Sequence, residues 1–172
     1  GIDDMRGGAG NDIYIVDNYS DVIREESNQG TDLVQASASY ILRNNNVENL
    51  TLTGSSDING TGNNSANTII GNSGANTLNG GAGADTLSGG NSSDTLYGDD
   101  GDDKLYGGSS SDTLYGDDGD DYLKGHSGKD KLYGGAGADT LLGGTSSDEL
   151  YGGDGNDKLY GESSADILYG GA

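Results

Sequence analysis

The stretch GGAGADTLSGGNSSDTLYGDDGDDKLY, residues 80–106, decides the fold, because it reads as three copies of one nine-residue unit. Each copy begins with Gly and has Asp at its sixth position and Leu at its eighth. The unit continues in both directions without an insertion, so that residues 62–169 divide into twelve consecutive nonapeptides. Position one is Gly in all twelve, and position eight is always Ile or Leu. A fixed period of this length is the signature of a repeat architecture.

A period of nine does not suit a helix, because one apolar residue in nine leaves no continuous stripe at a spacing of 3.6 residues. It predicts a short strand at positions seven to nine, with the middle side chain inward, and a turn at positions one to six. Position four alternates mainly between Gly and Ser, as at Gly101 and Ser110, so the true period is eighteen. We therefore predict an all-β fold, a β-solenoid in which two nonapeptides close one coil.

The nonapeptide period divides the chain into two regions. Residues 62–172 are predicted to form the regular roll, and residues 1–61 to form irregular solenoid coils that include one repeat at 7–15. Short β-rich pieces, such as IYIV at 13–16 and ENLTLTG at 48–54, alternate there with Asn, Asp and Gly turns. We expect these pieces to form wider coils of one continuous solenoid.

The composition indicates that the chain needs a multivalent cation to fold. Ile, Leu and Val together number 29 of 172 residues, Phe is absent, and the formal charge is −21. A chain with so few large aliphatic residues and so much charge does not collapse in water by itself. We predict that it is largely disordered without the cation and folds as it binds.

Several classes of function are excluded by the same composition. With no Cys and one His, disulfides, thiol chemistry, Cys/His zinc sites and serine or cysteine triads are excluded. His126 falls at a turn position that should face solvent, and we expect no enzymatic activity. An excess of 29 acidic over 8 basic residues argues against nucleic acid or an anionic membrane as a partner. The chain has no run of 18 apolar residues and no charged-then-apolar N-terminal leader, so no bilayer-spanning segment is expected.

The repeats resemble the RTX, or hemolysin-type, calcium-binding repeats of secreted bacterial proteins, which follow the pattern G-G-x-G-x-D-x-aliphatic-x. The resemblance covers about two thirds of the chain and is carried best by GGAGNDIYI at 7–15, GGAGADTLS at 80–88, GGAGADTLL at 134–142 and GGDGNDKLY at 152–160. It implies that the solenoid is a right-handed parallel β-roll, with two nonapeptides per coil and Ca²⁺ between successive turns on each side. It also implies type I secretion and an extracellular or cell-surface location. An EF-hand is excluded, because its Glu at loop position twelve and its flanking helices are missing.

The resemblance further implies two kinds of Ca²⁺ ligand, the main-chain carbonyls of positions one to four and the carboxylate of position six. Coils of a parallel roll stack about 4.8 Å apart, so one carboxylate can reach ions above and below it. At least four ions are expected, one in each gap between the five stacked turns that have Gly at position four. The residues assigned in this way are Asp12, Gly80, Ala82, Asp85, Gly98, Asp100, Gly101, Asp103, Gly116, Asp118, Gly119, Asp121, Gly134, Ala136, Gly137, Asp139, Gly152, Asp154, Gly155 and Asp157.

A second set of turns mostly has Ser in place of Gly at position four. Ser keeps the carbonyl oxygen but resists a positive φ. Three alternatives follow for these turns: weaker binding, binding in an altered geometry, or stabilisation by hydrogen bonds from the Ser hydroxyl to the backbone. The carboxylates concerned are Asp94, Asp112, Asp130, Asp148 and Asp166, together with Asp3 at the start of the chain.

The first coil of the regular repeats and the irregular region differ from this pattern. Asn67 and Asn76 replace the position-six Asp, so their coil is expected to bind Ca²⁺ poorly or to serve as an uncharged transition. Asp17, Asp21 and Asp32 are either additional calcium ligands or ordinary turn residues.

Tyrosines recur every eighteen residues at position nine of one set of strands, on its outward side. They are Tyr97, Tyr115, Tyr133, Tyr151 and Tyr169. One interpretation is a stacked ladder that stiffens the roll. The other is a docking stripe for a neighbouring protein or for sugar rings.

The most direct functional prediction is a calcium-folded structural segment of an exported bacterial protein. Two alternatives are a non-catalytic accessory module of a secreted lipase, protease or alginate epimerase, and a glycan-binding or adhesin module that uses the tyrosines. GIDDMR at 1–6 reads as positions four to nine of a repeat, and GGA at 170–172 as positions one to three. We therefore expect either a window from a longer array, with other domains in the parent chain, or a protomer that stacks end to end into a fibre.

Overall fold

The computed structural model describes residues 1–172 and contains nineteen short strands and no helix. It therefore has no helix that is long and apolar enough to cross a bilayer. The strands are β1 (Asp4–Met5), β2 (Ile13–Val16), β3 (Val22–Ile23), β4 (Leu33–Ala36), β5 (Tyr40–Ile41), β6 (Asn49–Leu52), β7 (Gly60–Thr61), β8 (Thr68–Ile70), β9 (Thr77–Ala82), β10 (Thr86–Gly90), β11 (Thr95–Asp100), β12 (Lys104–Ser109), β13 (Thr113–Asp118), β14 (Tyr122–Ser127), β15 (Lys131–Ala136), β16 (Thr140–Thr145), β17 (Glu149–Asp154), β18 (Lys158–Glu162) and β19 (Ile167–Gly171).

The strands form two long parallel sheets that face each other. The even-numbered strands from β2 to β18 make a sheet of nine, and the odd-numbered strands from β5 to β19 make a sheet of eight. Strands β1 and β3 form a separate parallel pair. Within the two long sheets each strand is bonded to the strand two places further along the chain, so the polypeptide visits each sheet once per coil. The predicted parallel β-roll is confirmed.

The pairing register of the regular region gives the length of each coil. Leu96 pairs with Leu114, and Leu87 pairs with Leu105, in each case eighteen residues further on. The strands are longer than the predicted three residues, because most of them continue through positions one to three of the next repeat. Position one faces inward and carries no side chain, so the extended backbone continues across it without crowding the interior. The prediction that these positions belong to the turn was wrong.

The core of the roll is one column of aliphatic side chains. Each position-eight residue from Ile69 to Leu150 has an exposed fraction of 0%, as the inward orientation of this position predicts. In the irregular region the interior is filled by a more varied set of side chains, which includes Tyr14, Val16, Val34, Tyr40 and Leu50. One column of Leu is a narrow core, and the two sheets must therefore be held together by their turns as well.

The irregular coils differ from eighteen residues in both directions. Ile13 pairs with Leu33, an offset of 20 residues, and Leu33 pairs with Asn49, an offset of 16. The expectation of wider coils is therefore wrong for the second of these, which is shorter than a regular coil. Asn49 then pairs with Thr68, an offset of 19, and the strands from β8 onward keep the offset of 18.

Candidate metal sites between the coils

Two columns of turns connect the sheets, and an acidic ladder runs up each of them. Column one contains the turns with Gly at position four, and column two contains the turns that mostly have Ser there. In both columns the backbone N–H of each position-six Asp except the last donates a hydrogen bond to Oδ1 of the Asp one coil further on. The N···O distances are 2.7–3.0 Å along Asp85, Asp103, Asp121, Asp139 and Asp157, and 2.8–2.9 Å along Asp94, Asp112, Asp130, Asp148 and Asp166.

The second carboxylate oxygen, Oδ2, has no hydrogen-bond partner in either column. It is buried in nine of these residues, namely Asp85, Asp94, Asp103, Asp112, Asp121, Asp130, Asp139, Asp148 and Asp157. Burying a charged oxygen without a partner costs more free energy than the hydrogen bond to the other oxygen contributes. So regular a row of unpartnered oxygens marks a place where a cation fits.

The position-one glycines make room for these oxygens. A Cβ built on Gly98 would lie 2.7 Å from the carbonyl oxygen of Gly116, one coil further on, and closer still to Oδ2 of Asp103. The strand pairing also skips this position, since Tyr97 pairs with Tyr115 and Asp99 with Asp117. A carboxylate oxygen and a main-chain carbonyl therefore converge on one small space. Oxygens of these two kinds are the ligands that Ca²⁺ takes in proteins.

The position-three carbonyls, which were also assigned as ligands, take part in hydrogen bonds between coils. The position-three carbonyls of Asp100, Asp118, Ala136 and Asp154 each accept a hydrogen bond from the position-four N–H of the preceding coil, at 2.8–2.9 Å. The side chains at this position in the same turns are exposed. Positions one and six therefore lie together, whereas the position-three carbonyl also bonds the neighbouring coil, and the assignment of positions three and four as ligands stays a prediction.

Column two has a different turn around the same acidic ladder. Its serines do not avoid the left-handed region, since Ser92, Ser110, Ser146 and Ser164 have φ of 67–92°, whereas the matching glycines of column one have φ of 113–145°. None of these serines donates the position-four hydrogen bond of column one, although Gly128 does so to Thr145 at 3.3 Å. Among the position-four serines, Ser92 uses its hydroxyl, which donates to the carbonyl of Ser73 at 2.9 Å.

Burial changes the protonation of the acidic ladders. Desolvation raises the pKa of Asp85, Asp94 and Asp130 to about 6, against a lowering effect of the backbone hydrogen bond that each accepts. The same burial, with repulsion from neighbouring carboxylates, raises the pKa of Asp103, Asp112 and Asp121 to about 7. The pKa values of Asp139 and Asp148 are also raised by burial. Without a cation beside them, these carboxyl groups therefore stay protonated to a higher pH than an exposed Asp does.

Comparison with known families agrees with this geometry. The profile described as "RTX calcium-binding nonapeptide repeat (4 copies)" matches residues 1–23, 61–96, 80–114, 88–123, 106–141, 115–149 and 142–172. The chain belongs to the RTX calcium-binding repeat family. No curated protein matches the chain.

The first coil of the regular RTX repeats satisfies its turns without a cation. Asn67 takes the place of Asp, and its side-chain amide donates to the carbonyls of Val47 and Glu48, both at 3.3 Å. In the other turn the Asn76 amide donates to the carbonyl of Ile58 at 2.6 Å. An amide nitrogen supplies the positive end of a dipole where an Asp would leave an oxygen unpaired. This arrangement supports the expectation that these turns are an uncharged transition.

The irregular coils extend both ladders towards the start of the chain. Asp12 N–H donates to Oδ1 of Asp32 at 2.8 Å, and Asp3 N–H donates to Oδ1 of Asp21 at 2.9 Å. Asp32 is therefore a member of the column-one ladder, and Asp21 of the column-two ladder. Asp3 and Asp17 are exposed, and each offers a carboxylate oxygen within 4.8 Å of one from Asp21.

Three residues in this region were missed by reasoning from the sequence. Glu48 continues the column-one ladder, because its Oε2 accepts the N–H of Asp32 at 2.8 Å. Tyr14 and Glu25 lie side by side in the interior, where the Tyr14 hydroxyl donates to Oε1 of Glu25. Counting eighteen residues on from Gly7 would have placed Glu25 at position one of the next coil, but the nonapeptide pattern stops at residue 15.

The predicted tyrosines form a continuous ladder on the outer face of the eight-stranded sheet. Successive rings have centroids 4.8–4.9 Å apart and planes within 5–11° of parallel, from Tyr97 through Tyr115, Tyr133 and Tyr151 to Tyr169. The predicted stacking of these tyrosines is therefore confirmed.

Proposed function

We propose that this chain is a calcium-folded structural β-roll and that its position-six aspartates hold Ca²⁺ between coils. The observation that carries the proposal is the double row of buried, unpartnered Oδ2 atoms. In a family of calcium-binding repeats, an orphan oxygen beside a convergent carbonyl is the feature that a cation would complete.

The proposed ligands are the position-six carboxylate and the position-one carbonyl of the following coil, in both columns. Asp103 with the carbonyl of Gly116 is one such pair, and Asp112 in column two has the same unpartnered oxygen. When bound, Ca²⁺ supplies positive charge to oxygens that otherwise repel one another across adjacent coils. The formal charge of −21 makes this contribution large for the whole chain.

We place this roll in a secreted bacterial protein, in which it acts without catalysis as a spacer, a folding aid after export, or a fibre or surface-layer element. The RTX resemblance supports export, since a chain that folds only with Ca²⁺ stays open where calcium is scarce. His126, the one histidine of the chain, is exposed. An accessory module of a secreted enzyme is compatible with the same calcium-dependent folding, and a catalytic domain elsewhere in the parent gene would favour it.

End-to-end stacking of such rolls is the form of assembly that we propose, because the edge of a parallel sheet templates the addition of a further strand. Sedimentation velocity of the calcium-loaded chain at high concentration tests it, and a monomer there would contradict end-to-end assembly.

Calcium titration followed by far-UV circular dichroism tests the proposed function. The wild-type chain is expected to be largely disordered in chelator and to gain its β-sheet signal on titration, with several ions bound per chain. Substitution Asp121→Asn removes a charged ligand from two successive gaps. We expect it to raise the half-saturating calcium concentration about tenfold and to lower the number of bound ions.

The matched control is Asp118→Asn, three residues away. The Asp118 carboxylate is exposed, whereas that of Asp121 is 3% exposed. The control is expected to titrate like the wild-type chain. A full β-sheet spectrum in chelator, or identical titrations of the two variants, would contradict the proposal.

A further inference from the structure

The second coil of the chain carries a side chain where the regular repeats have none. Asp4 pairs with Val22 and Met5 with Ile23, so the same register places Gly7 opposite Glu25. The Gly7 N–H indeed donates to Oε1 of Glu25, at 3.3 Å. Glu25 therefore occupies the inward-facing position one, which is Gly in all twelve regular repeats, and its side chain is only 7% exposed.

This substitution adds a third carboxylate to one step of the column-one ladder. Asp12 and Asp32 are consecutive members of that ladder, joined by the hydrogen bond from Asp12 N–H to Asp32 Oδ1. One carboxylate oxygen from each of Asp12, Glu25 and Asp32 lies within 4.8 Å of the other two. Two ligands on opposite sides of one Ca²⁺ are about 5 Å apart, so all three oxygens can share a single ion.

The hydrogen bonds around the cluster leave two of its oxygens without partners. Oε1 of Glu25 accepts from the Tyr14 hydroxyl and from Gly7 N–H, whereas Oε2 is buried and unpartnered. Oδ2 of Asp12 is likewise buried and unpartnered. The ion pairs of the chain join Gly1 to Asp17, Arg24 to Asp4 and Lys131 to Glu149, so none neutralises this cluster.

We propose that Asp12, Glu25 and Asp32 form a Ca²⁺ site that the nonapeptide pattern does not describe. A gap between two regular coils brings one Asp from each coil, whereas this gap brings two Asp and one Glu. The additional negative charge makes this site the first to fill, because ligand charge tunes calcium affinity. Tyr14 is the positioning residue, since its hydroxyl fixes Oε1 and leaves Oε2 free for the ion.

Calcium titration of the full chain, followed by the backbone ¹H–¹⁵N resonances, tests this site separately from the others. The amides of Gly7 and Asp12 report on it, since the first donates to Glu25 and the second to Asp32. In the wild-type chain we expect both resonances to shift with the first equivalent of Ca²⁺, before those of Asp103 and Asp121. In Glu25→Gln the shift is expected to need about tenfold more calcium.

The neighbouring Glu26 is exposed, and Glu26→Gln is the matched control, expected to titrate like the wild-type chain. Dispersed resonances of Leu50 and Ile69 at saturating calcium establish that each variant is folded. Should Glu25→Gln not fold, the wild-type titration decides alone. If the amides of Asp103 and Asp121 respond and those of Gly7 and Asp12 do not, the inference is wrong and the proposed function stands. If neither pair responds, the proposed function fails as well.

Discussion

At the scale of single residues, the position-one glycine is as important to the roll as the aspartate that defines the repeat. Its main-chain carbonyl faces the ladder, and its missing side chain leaves the volume that Oδ2 occupies. At Gly98 an added Cβ would meet both Oδ2 of Asp103 and the carbonyl of Gly116. Backbone atoms at that distance cannot move aside without disturbing the adjacent coil.

The substitution Gly98→Ala tests this reading. We expect it to destabilise the calcium-loaded roll by about 1–3 kcal/mol through overpacking and to lower the number of bound ions. Gly170 occupies the same repeat position with no atom within 4 Å of an added Cβ, so Gly170→Ala is the control and should change neither quantity. Thermal unfolding in calcium, with ion counting, distinguishes the two. Equal stability of both variants would show that the space beside Gly98 accommodates a methyl group.

At the scale of elements, the tyrosine ladder links strands β11, β13, β15, β17 and β19. The rings stack face to face, so each interior ring has both faces covered by its neighbours. Sugar rings bind to open aromatic faces, and the stacked geometry therefore favours stiffening of the sheet over recognition of a glycan. The docking role of the ladder stays a prediction, and glycan binding lost in variants of Tyr115 and Tyr133 would support it.

Substitution of one ladder residue measures its contribution. Tyr133 stacks on Tyr115 and on Tyr151, and each stacked pair contributes about 0.5–1.5 kcal/mol, so Tyr133→Ala should destabilise the roll by about 1–3 kcal/mol. Tyr160 is 51% exposed and stacks on no other ring, so Tyr160→Ala is the control, with a much smaller expected loss. Chemical denaturation in saturating calcium compares them. A similar loss in both would mean that stacking adds nothing to burial.

The elements also show which parts of the fold can be predicted from sequence. One in-frame apolar position per nine residues was enough to predict the column from Ile69 to Leu150, because no other side chain competes for the interior. The length of the strands was not predictable in this way. Glycines at positions one to three are found in turns, but they are found equally in strands whose backbone lies close to neighbouring atoms, so the pattern does not distinguish the two. The 16-residue coil before Asn49 has no counterpart elsewhere in the chain, so no internal comparison could set its length.

At the scale of the whole molecule, the sequence likewise predicted only part of the candidate sites. The repeats identified the position-six aspartates, but the pairing of Oδ1 with the preceding coil and the isolation of Oδ2 depend on how coils stack. Glu25 was missed because an irregular turn separates it from the nearest complete repeat. Asn67 and Asn76 mark an uncharged break in the two ladders that the sequence did show. Coils before the break have a more varied core and an irregular acidic ladder, whereas coils after it have one column of aliphatic side chains and two regular acidic columns.

The acidic columns give the whole roll a pH dependence that calcium should abolish. In the metal-free fold burial raises the pKa values of Asp103, Asp112 and Asp121 to about 7. In the unfolded chain the pKa of Asp is about 3.9. Between these values the folded chain holds more protons than the unfolded chain, so its free energy of unfolding falls as pH rises from about 4 to about 7. In chelator we therefore expect more β-structure at pH 5 than at pH 8, measured by circular dichroism.

Calcium should act in the opposite direction, because it competes with these protons for the same oxygens. We expect the half-saturating calcium concentration to fall as pH rises from 5 to 8. Protons should be released on binding at pH 5, where the protonated metal-free fold is most populated, and not at pH 8, where the chain is disordered and its carboxylates are already ionised. Calorimetry in two buffers of different ionisation enthalpy counts those protons. At pH 5 Asp121→Asn should release fewer of them, and Asp118→Asn should match the wild-type chain. A chelated chain that becomes more folded as the pH rises would mean that these carboxylates are ionised in the metal-free fold and that something other than Ca²⁺ compensates their charge.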